Sequence, residues 1–342
     1  MAPWIPRLHL FEIADQSWFP PFLRAYVQAG LTHAWTTRLP LLQPYSPATL
    51  VANILRRELG ASVSSYAYID FCAGAGGPTP HIERALNRQL SKPPSSSSSS
   101  PPSSYAAVAA ASPNHDRDHN HDHLASVPVP EPAGNGQGSA GVDFVLTDLH
   151  PHVESWEKAA RASPHLTYVS TPVDAAAAPS ELIRRGKARG KGVFRLFNLA
   201  FHHFDDVLAR AILKNTVETS DGFGIFELQS RTLSSFVSCM LFGIFILLIA
   251  PLLYWWSPPI LFFVYVVPVV PFVLVFDGLV SSLRTRTADE VEVLLRTCGA
   301  GDGDDAAADW LVRSGSETFL WPCGHLTWII CTKKNDAQGR GS

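Results

Sequence analysis

A glycine-rich loop between an apolar run and a predicted helix is the feature of this sequence best suited to binding chemistry. The run Tyr66–Phe71 contains Asp70 near its end, and Gly74 and Gly76 follow among small residues. Glycines let a ligand approach the backbone closely, and the start of the next helix offers free N–H groups. The third glycine of the G-x-G-x-x-G pattern is missing because that position is Thr79, which disfavours a nicotinamide-dependent oxidoreductase.

A second acidic residue stands where a ribose-binding carboxylate is expected. In folds that bind nucleotides after such a loop, this carboxylate lies about 20 residues further on, at the end of the second strand. Asp148 follows the apolar run 142–147 and lies 72 residues after Gly76. Without the low-complexity insertion at 91–141, roughly 50 residues long, about 22 residues remain between them, and surface connections tolerate such insertions. The spacing therefore favours a nucleoside-containing ligand. An ordinary strand-to-helix turn, with Asp148 as a helix N-cap, is the alternative.

Three further titratable residues follow later strand-like runs. His202 and His203 come directly after the run 192–199, and Glu227 lies near the end of the run 222–228. An imidazole can remove a proton from a hydroxyl or an acid near neutral pH, so these residues are candidates for catalysis. The alternative is that they only line a pocket.

At these positions the chain resembles the class I S-adenosylmethionine-dependent methyltransferases. The sequence D-F-C-A-G-A-G, from Asp70 to Gly76, is similar to their first motif, (D/E)-x-G-x-G-x-G, with Cys72 in place of the first glycine. The resemblance implies that S-adenosylmethionine is the cofactor. It implies a cofactor site formed by Asp70, Cys72, Gly74, Gly76, Asp148, Asp174 and Asn198.

The resemblance also implies a role for each part of that site. Asp70 and the glycine loop would hold the methionine part of the cofactor, and Asp148 would bind the ribose hydroxyls. Asp174 matches the motif whose acidic residue meets the adenine amino group. The segment 194–205, with Asn198 and both histidines, resembles the fourth motif, which lies beside the transferred methyl group. The leading segment 15–20 resembles one in fungal and bacterial members and implies a cap over the cofactor site.

The alternation of apolar runs with helical patterns predicts a doubly wound α/β fold. Parallel strands covered on both faces have continuous apolar sequences, and six such runs occur, at 66–71, 142–147, 166–170, 192–199, 222–228 and 326–332. With a further strand at 309–319, the resemblance implies a mostly parallel, seven-stranded, methyltransferase-type sheet closed by an antiparallel hairpin. We expect this core in two parts, 61–231 and 277–335, followed by a flexible tail at 336–342.

A helical cap is predicted at 1–60, in front of the core. Residues 16–59 carry apolar spacing typical of helices. One helix is expected to begin after Ser46, at Pro47, and to end at Gly60.

An uncharged segment at 232–276 interrupts the predicted core. Its first arm, 233–256, is long enough to cross a hydrocarbon layer of roughly 30 Å, and Trp255 and Trp256 at its far end suit a headgroup interface. Its second arm, 260–276, is shorter and contains two prolines. We therefore predict a membrane-embedded apolar helical hairpin, either spanning or re-entrant, as in a membrane-anchored fungal member of the family. A buried hairpin or dimer arm in a soluble protein is the alternative.

Arginines outside both ends of this hairpin predict its orientation. Arg231 precedes the segment, and Arg284 and Arg286 follow it. Cytoplasmic flanks of membrane segments are rich in Lys and Arg. The catalytic domain is therefore expected on the cytosolic side of an intracellular membrane.

Composition excludes several other functions. The net charge of −3 argues against a nucleic-acid partner, which needs a basic face. Five scattered cysteines indicate neither a disulfide framework nor a zinc site. The four histidines at 115–123 stand in a low-complexity setting, and the acidic loop at 302–305 lacks the glutamate of a calcium loop. We therefore expect no metal.

These observations lead to two hypotheses of different class. The first is methyl transfer from S-adenosylmethionine to a lipophilic small-molecule acceptor at a membrane surface. The alternative is a non-catalytic, membrane-anchored scaffold or cofactor sensor with the same fold. Turnover of the cofactor separates the two.

Overall fold

A computed structural model describes Pro3 and residues 5–39, 42–91, 141–300 and 308–334. Several predictions concern segments outside these described residues, namely nearly all of the insertion at 91–141, its four histidines, the acidic loop at 302–305 and the tail at 336–342.

One sheet forms the centre of the molecule. Its strands are β1 (Tyr66–Phe71), β2 (Phe144–Thr147), β3 (Leu166–Tyr168), β4 (Gly192–Asn198), β5 (Gly222–Glu227), β6 (Trp310–Leu320) and β7 (Gly324–Lys333). They lie in the order β3-β2-β1-β4-β5-β7-β6. The first five strands run parallel, and β7 is antiparallel to both β5 and β6. The predicted doubly wound, mostly parallel seven-stranded sheet is confirmed.

Ten α-helices occur in the described part of the chain. They are α1 (Pro21–Thr36), α2 (Pro47–Leu59), α3 (Thr79–Leu90), α4 (Val153–Ala160), α5 (Ser180–Gly186), α6 (Asp206–Thr219), α7 (Leu233–Tyr254), α8 (Pro258–Leu261), α9 (Val269–Arg284) and α10 (Ala288–Arg296). One apolar core packs α2, α3 and α4 against the sheet, and a second packs α5, α6 and α10. Because helices cover both faces, β1 and β5 are buried along their whole length, as continuous apolar runs require.

The predicted helix after Ser46 is present as α2. The Ser46 hydroxyl accepts a hydrogen bond from Thr49 N, Pro47 occupies the first turn, and Gly60 ends the helix with φ +53°. These are the capping residues that helix ends favour, since each supplies a missing partner or a left-handed backbone.

The apolar segment forms a helical hairpin with unequal arms. Its first arm, α7, is 22 residues long, and it is the one described helix long and apolar enough to cross a membrane alone. The second arm, Pro258–Val266 with Val269–Arg284, is bent by 66°. Pro268 lies at this break, whereas Pro271 lies in the first turn of α9, where proline does not interrupt a helix.

The second arm also extends further than predicted. The hairpin was predicted to end at Phe276, because the charged Asp277 follows, but α9 continues to Arg284. Both oxygens of the buried Asp277 carboxylate accept backbone hydrogen bonds, from Ile13 N at 2.7 Å and Ala14 N at 2.9 Å. Because its charge is satisfied in this way, the aspartate lies within the helix and does not end it.

The residues predicted as an N-terminal cap pack in two different places. Helix α1 contributes Leu23 and Val27 to a third apolar core, shared with hairpin residues such as Ala250 and Val264. The segment before it, including Asp15, reaches the carboxyl end of β4. Within the predicted cap, α1 and the segment before it therefore pack on the hairpin and on the histidines, whereas α2 packs against the sheet in the first core, which also contains Ala73 of the glycine loop.

Candidate functional site

The glycine loop connects β1 to α3 at the point where the strand order reverses, between β1 and β4. Ligands of doubly wound sheets bind in this crevice, at the carboxyl ends of the strands. Gly74, Gly76 and Gly77 have φ of +52°, +104° and +47°, and Cys72 has φ +69°. The residue that departs from the family motif therefore keeps a left-handed backbone, the conformation that glycine adopts most easily.

The Cys72 thiol is not a nucleophile in this setting. Burial raises its pKa, and the negative charges of Asp148, Asp70 and Asp174 raise it further. A thiol with a raised pKa stays protonated at neutral pH, and the thiolate is the reactive form.

Substitutions of Cys72 test the importance of its backbone conformation. We expect Cys72→Gly to change the free energy of unfolding by less than about 1 kcal/mol, because relief of left-handed strain is offset by the greater freedom of glycine in the unfolded chain. Cys72→Val is expected to lower it by about 1–3 kcal/mol, because a branched side chain tolerates this conformation poorly. Urea unfolding measures both. Cys331→Val, in the extended backbone of β7, is the matched control, and an equal loss there would contradict the explanation.

Asp70 and Asn198 form a buried polar pocket beside the loop. Asp70 is 1% exposed, and its Oδ2 accepts a hydrogen bond from the Thr79 hydroxyl, which itself accepts one from Asn198 Nδ2 at 2.9 Å. The second carboxylate oxygen of Asp70, Oδ1, and the amide oxygen of Asn198, Oδ1, have no hydrogen-bond partner among the described residues. Buried polar atoms without partners cost free energy, so these two oxygens fit a ligand that donates hydrogen bonds.

Burial also changes the protonation of Asp70. It raises the pKa of this carboxyl from 3.8 to about 8, against the opposing hydrogen bonds of Thr79 and Asn198. The negative charge of Asp148 raises it further. A positively charged ligand group would favour the ionised carboxylate.

Asp148 holds the loop from the end of β2. Its Oδ2 accepts a hydrogen bond from Gly74 N at 2.8 Å, and its Oδ1 accepts one from His150 N at 2.8 Å. The exposed Asp174 follows β3, where its Oδ1 accepts from Ala176 N at 2.8 Å. The structure thus gathers the seven predicted cofactor-binding residues around one crevice. Their contact with a cofactor stays a prediction.

A second group of polar side chains lies at the carboxyl ends of β4 and β5. We call it the charge cluster, and it consists of Glu12, Asp15, His202, His203, Glu227 and Arg284. Leu199, with φ +53°, turns the chain after β4 into a short 3-10 helix at Phe201–His203. Asn198 of the crevice and His202 of the charge cluster are therefore separated by one tight turn.

His202 and Glu227 form a buried pair in this cluster. His202 Nδ1 lies 2.9 Å from Glu227 Oε2, which also accepts a hydrogen bond from Gln229 Nε2 at 3.1 Å. The two side chains are 2% and 4% exposed. Because a carboxylate only accepts hydrogen bonds, the neutral tautomer that this pair favours has its proton on Nδ1 and its lone pair on Nε2. That nitrogen lies 3.6 Å from Glu12 Oε1.

The remaining members surround His203. His203 Nδ1 lies 2.9 Å from Asp15 Oδ2. Arg284 Nη1 pairs with Glu12 Oε1 at 3.0 Å, and its Nη2 donates to the His203 carbonyl at 3.0 Å. Ser281 Oγ also donates to Glu12 Oε1, at 2.9 Å. The structure thus brings together the three predicted catalytic residues.

Three members of the charge cluster, and its set of potential metal ligands, were not predicted from the sequence. Glu12 and Asp15 come from the N-terminal segment, and Arg284 was interpreted only as a flanking charge. No metal site was expected, yet Glu12, His202 and His203 each place a donor atom within 4.8 Å of the others. The resemblance of the segment 15–20 was the one hint that this segment contributes to the site.

The two sets of residues could bind a nucleoside-containing cofactor beside a group that accepts protons. The crevice offers two acceptor oxygens without partners among the described residues and the carboxylates of Asp148 and Asp174. The charge cluster offers an oriented imidazole one turn away.

Comparison with known proteins gives similarities to solved structures only. No family model matches this chain, and no curated protein matches it. A SAM-dependent methyltransferase from Anabaena variabilis aligns over 97% of this chain and 99% of its own, with 12% identity and a TM-score of 0.43.

Two other similar structures are longer proteins. The pyocyanin biosynthetic protein PhzM aligns over 84% of this chain and 56% of its own, with 13% identity and a TM-score of 0.40. Human N-acetylserotonin methyltransferase in complex with SAM aligns over 91% and 65%, with 10% identity and a TM-score of 0.36. This chain thus spans less than two thirds of either protein. These values carry no weight for activity, and the methyltransferase-like α/β fold rests on the strand order and directions of the chain itself.

Proposed function

We propose that this chain transfers a methyl group from S-adenosylmethionine to a small lipophilic acceptor at a membrane surface. The observation that carries the proposal is the crevice at the switch point, where a buried acid, a glycine loop and a second acid adjoin the charge cluster. A doubly wound sheet binds its ligand at this place. When bound, the cofactor supplies a methyl group activated by a sulfonium.

The residues of the crevice fit this cofactor. Asp70 Oδ1 and Asn198 Oδ1, which lack partners among the described residues, would accept hydrogen bonds from its ammonium group. Asp148 would bind the ribose hydroxyls, and the exposed Asp174 would meet the adenine amino group. The left-handed backbone at Gly74 and its neighbours lets the ligand approach the main chain closely.

The charge cluster would receive the acceptor. Methyl transfer requires mainly that the acceptor atom be held in line with the methyl group. A hydroxyl acceptor must also lose its proton, and the lone pair on His202 Nε2, oriented by Glu227, can take it. His203, fixed by Asp15, would hold the acceptor beside it.

The hairpin supports a membrane location. Of the most apolar 18-residue window of α7, only 11% is buried against the rest of the described protein. Leu248, Leu252 and Trp255 are 70%, 72% and 75% exposed. A large exposed apolar surface marks a binding surface, and its length matches a hydrocarbon layer. A lipophilic acceptor follows because a membrane-held enzyme has most access to molecules in that layer.

The predicted membrane orientation was based on three arginines that the structure shows to be buried. Arg231, Arg284 and Arg286 are buried and paired with Glu290, Glu12 and Asp206. These arginines therefore stabilise the fold. The cytosolic orientation stays a prediction.

Calorimetric titration of S-adenosylmethionine into detergent-solubilised protein tests the cofactor site. We expect binding that Asp148→Ala weakens at least about tenfold, because loss of one charged hydrogen-bond acceptor corresponds to about 1.5–3 kcal/mol. Glu181→Ala is the matched control, since that carboxylate is exposed on α5 and pairs with the neighbouring Arg184 and Arg185. It should leave the affinity unchanged.

The outcome separates the proposal from its alternative. Binding together with formation of S-adenosylhomocysteine in the presence of a membrane-lipid extract supports an enzyme. Binding without turnover of any extract supports the scaffold or sensor. Absence of binding to the folded wild-type protein would contradict both.

A further inference from the structure

Three side chains of the charge cluster have the composition of a transition-metal site. Glu12, His202 and His203 supply one carboxylate and two imidazoles, with one donor atom of each within 4.8 Å of the others. Two imidazoles favour a first-row transition ion over Mg²⁺ or Ca²⁺, which prefer oxygen ligands. Two histidines with one glutamate also form known catalytic zinc sites.

The distance between two of these donors suits a shared ion better than a hydrogen bond. His202 Nε2 lies 3.6 Å from Glu12 Oε1, which exceeds the usual hydrogen-bond range. Two ligands of a tetrahedral zinc ion, each bound at about 2.0–2.1 Å, are separated by about 3.3 Å. A small movement of either side chain would bring both atoms to that separation.

Both histidines are already oriented by other carboxylates. His202 Nδ1 contacts Glu227 at 2.9 Å, and His203 Nδ1 contacts Asp15 at 2.9 Å. Histidines that bind metals usually donate their second ring N–H to such a group, which fixes the ring and raises its basicity. His202 shows this arrangement, since its Nε2 is the nitrogen on the side of Glu12, whereas Nδ1 of His203 faces both Asp15 and Glu12, so this ring would have to turn.

The charge balance of the cluster also favours a bound cation. Its three carboxylates, Glu12, Asp15 and Glu227, face one guanidinium, that of Arg284. Apart from the imidazoles, the cluster therefore has two negative charges in excess, and four of its six side chains are buried. Buried charges require compensation, which one divalent cation would supply.

Arg284 restricts how Glu12 could bind an ion. Its Nη1 lies 3.0 Å from Glu12 Oε1, which also accepts from Ser281. Glu12 Oε2 lies 3.8 Å from His203 Nδ1. Because the Arg284 and Ser281 donors use both lone pairs of Oε1, an ion bound by Oε1 would displace the Ser281 hydroxyl, while the ion pair with Arg284 would remain.

We propose that Glu12, His202 and His203 bind one divalent first-row transition ion, with Zn²⁺ as the best match. The ion itself does not depend on methyl transfer, but its role rests on the proposed function. There it would occupy the lone pair of His202 Nε2 and coordinate the acceptor oxygen on the half-buried side of His203. Coordination lowers the pKa of a bound hydroxyl, so the acceptor would release its proton to water, and this would replace the proton transfer to His202 Nε2.

Metal analysis of the purified full-length chain tests this inference. Because His115, His119, His121 and His123 could also bind zinc, the assay uses a background with all four replaced by alanine. The protein is loaded with ZnSO₄ and desalted, and its zinc content is then measured by mass spectrometry. Visible absorption of the Co²⁺-loaded protein reports the ligand geometry.

We expect one zinc per chain in this background, with the ion lost in His202→Ala and in Glu12→Gln. Glu227→Gln, which changes only the group that orients His202, should weaken zinc binding about 10–100-fold. His165→Ala, at the opposite edge of the sheet, is the matched control and should retain the ion. Far-UV circular dichroism and thermal unfolding of each variant show that its fold is intact, independently of cofactor binding.

The two proposals fail in different ways. Zinc that is absent from the four-alanine background, or retained in both His202→Ala and Glu12→Gln, overturns the metal site and leaves cofactor binding untouched. Zinc bound as expected by a chain that does not bind S-adenosylmethionine overturns the proposed function and leaves the metal site.

Discussion

Asp70→Asn is expected to weaken S-adenosylmethionine binding by about 10–100-fold at pH 8. The substitution keeps the shape of the side chain but removes the charge, and a hydrogen bond between charged groups contributes about 1.5–3 kcal/mol. The carboxylate would face the ammonium group of the cofactor, because its Oδ1 lacks a partner among the described residues. Calorimetric titration measures the change, and an unchanged affinity would remove Asp70 from the site.

The affinity of the wild-type protein should also depend on pH. Burial raises the pKa of Asp70 to about 8, so at pH 6 the carboxyl is mostly protonated and must lose its proton to pair with a cation. We expect the affinity to increase between pH 6 and 8, by at most about tenfold per pH unit, and to level off above pH 8. Asp70→Asn should show a flat profile in this range, whereas a flat profile for the wild type would contradict the explanation.

The stability of the cofactor-free protein should change in the opposite direction. Between pH 4 and 8 the unfolded chain has an ionised Asp70 while the folded chain keeps it protonated, so the folded state binds more protons. The contribution of Asp70 to stability therefore decreases as the pH rises through this window. Thermal unfolding should find Asp70→Asn more stable than the wild type above pH 8, with a smaller difference at pH 5.

Arg195→Ala is expected to lower the free energy of unfolding by about 3–5 kcal/mol. The Arg195 side chain is fully buried in β4 and donates to Ser220 Oγ at 2.8 Å, Ala175 O at 3.0 Å and Asn215 Oδ1 at 2.6 Å. Its guanidinium lies 4.4 Å from the centre of the Phe71 ring. Alanine would leave a cavity and unpaired buried acceptors, each worth about 1–3 kcal/mol.

Urea unfolding measures this loss, with Arg184→Ala as the control. Arg184 is exposed on α5 and pairs with Glu181, so its loss should cost less than about 1 kcal/mol. Arg195→Lys should recover only part of the stability, because one ammonium group cannot reproduce the fixed geometry of the guanidinium donors. Equal effects of the two alanine substitutions would contradict the role of Arg195.

Arg195 also connects the core to the crevice. Its Nη1 holds the carbonyl of Ala175, the residue after Asp174. Burial lowers the pKa of this arginine to about 9, so it remains charged at neutral pH and keeps this hydrogen bond. The folded fraction of an Arg195 variant should therefore bind S-adenosylmethionine less tightly, because Arg195 holds the segment after β3 that contains Asp174.

Local patterns in the sequence were sufficient to predict most strands of the sheet. β1 was predicted with its observed bounds, because a strand covered on both faces is apolar throughout and the glycine loop marks its end. The position of Asp148 beside Gly74 followed from the spacing that remains when the insertion is removed. The antiparallel closing hairpin came from the family resemblance, since its strands alone do not determine the strand order.

The charge cluster was only partly predictable because it combines distant parts of the chain. His202 and Glu227 follow adjacent parallel strands, which meet at one sheet edge, and this explains why both were found. Glu12 lies 190 residues before His202, in a segment that forms neither a helix nor a strand. Arg284 was missed because the uncharged run was assumed to end its helix at Phe276. Its burial depends on the pairing with Glu12.

Helix α9 has a geometric consequence for the choice of acceptor. Leu274 lies in the apolar core shared with α1, and Arg284 lies in the charge cluster. Ten residues of helix separate them by about 15 Å, so in the proposed membrane-bound state one rigid element would set the distance of the charge cluster from the hydrocarbon layer. Lipid headgroups extend roughly 5–8 Å beyond that layer on each side. In that state, an amphiphile with its nucleophilic atom in the headgroup would be displaced from its leaflet by less than one with that atom deep in its chain.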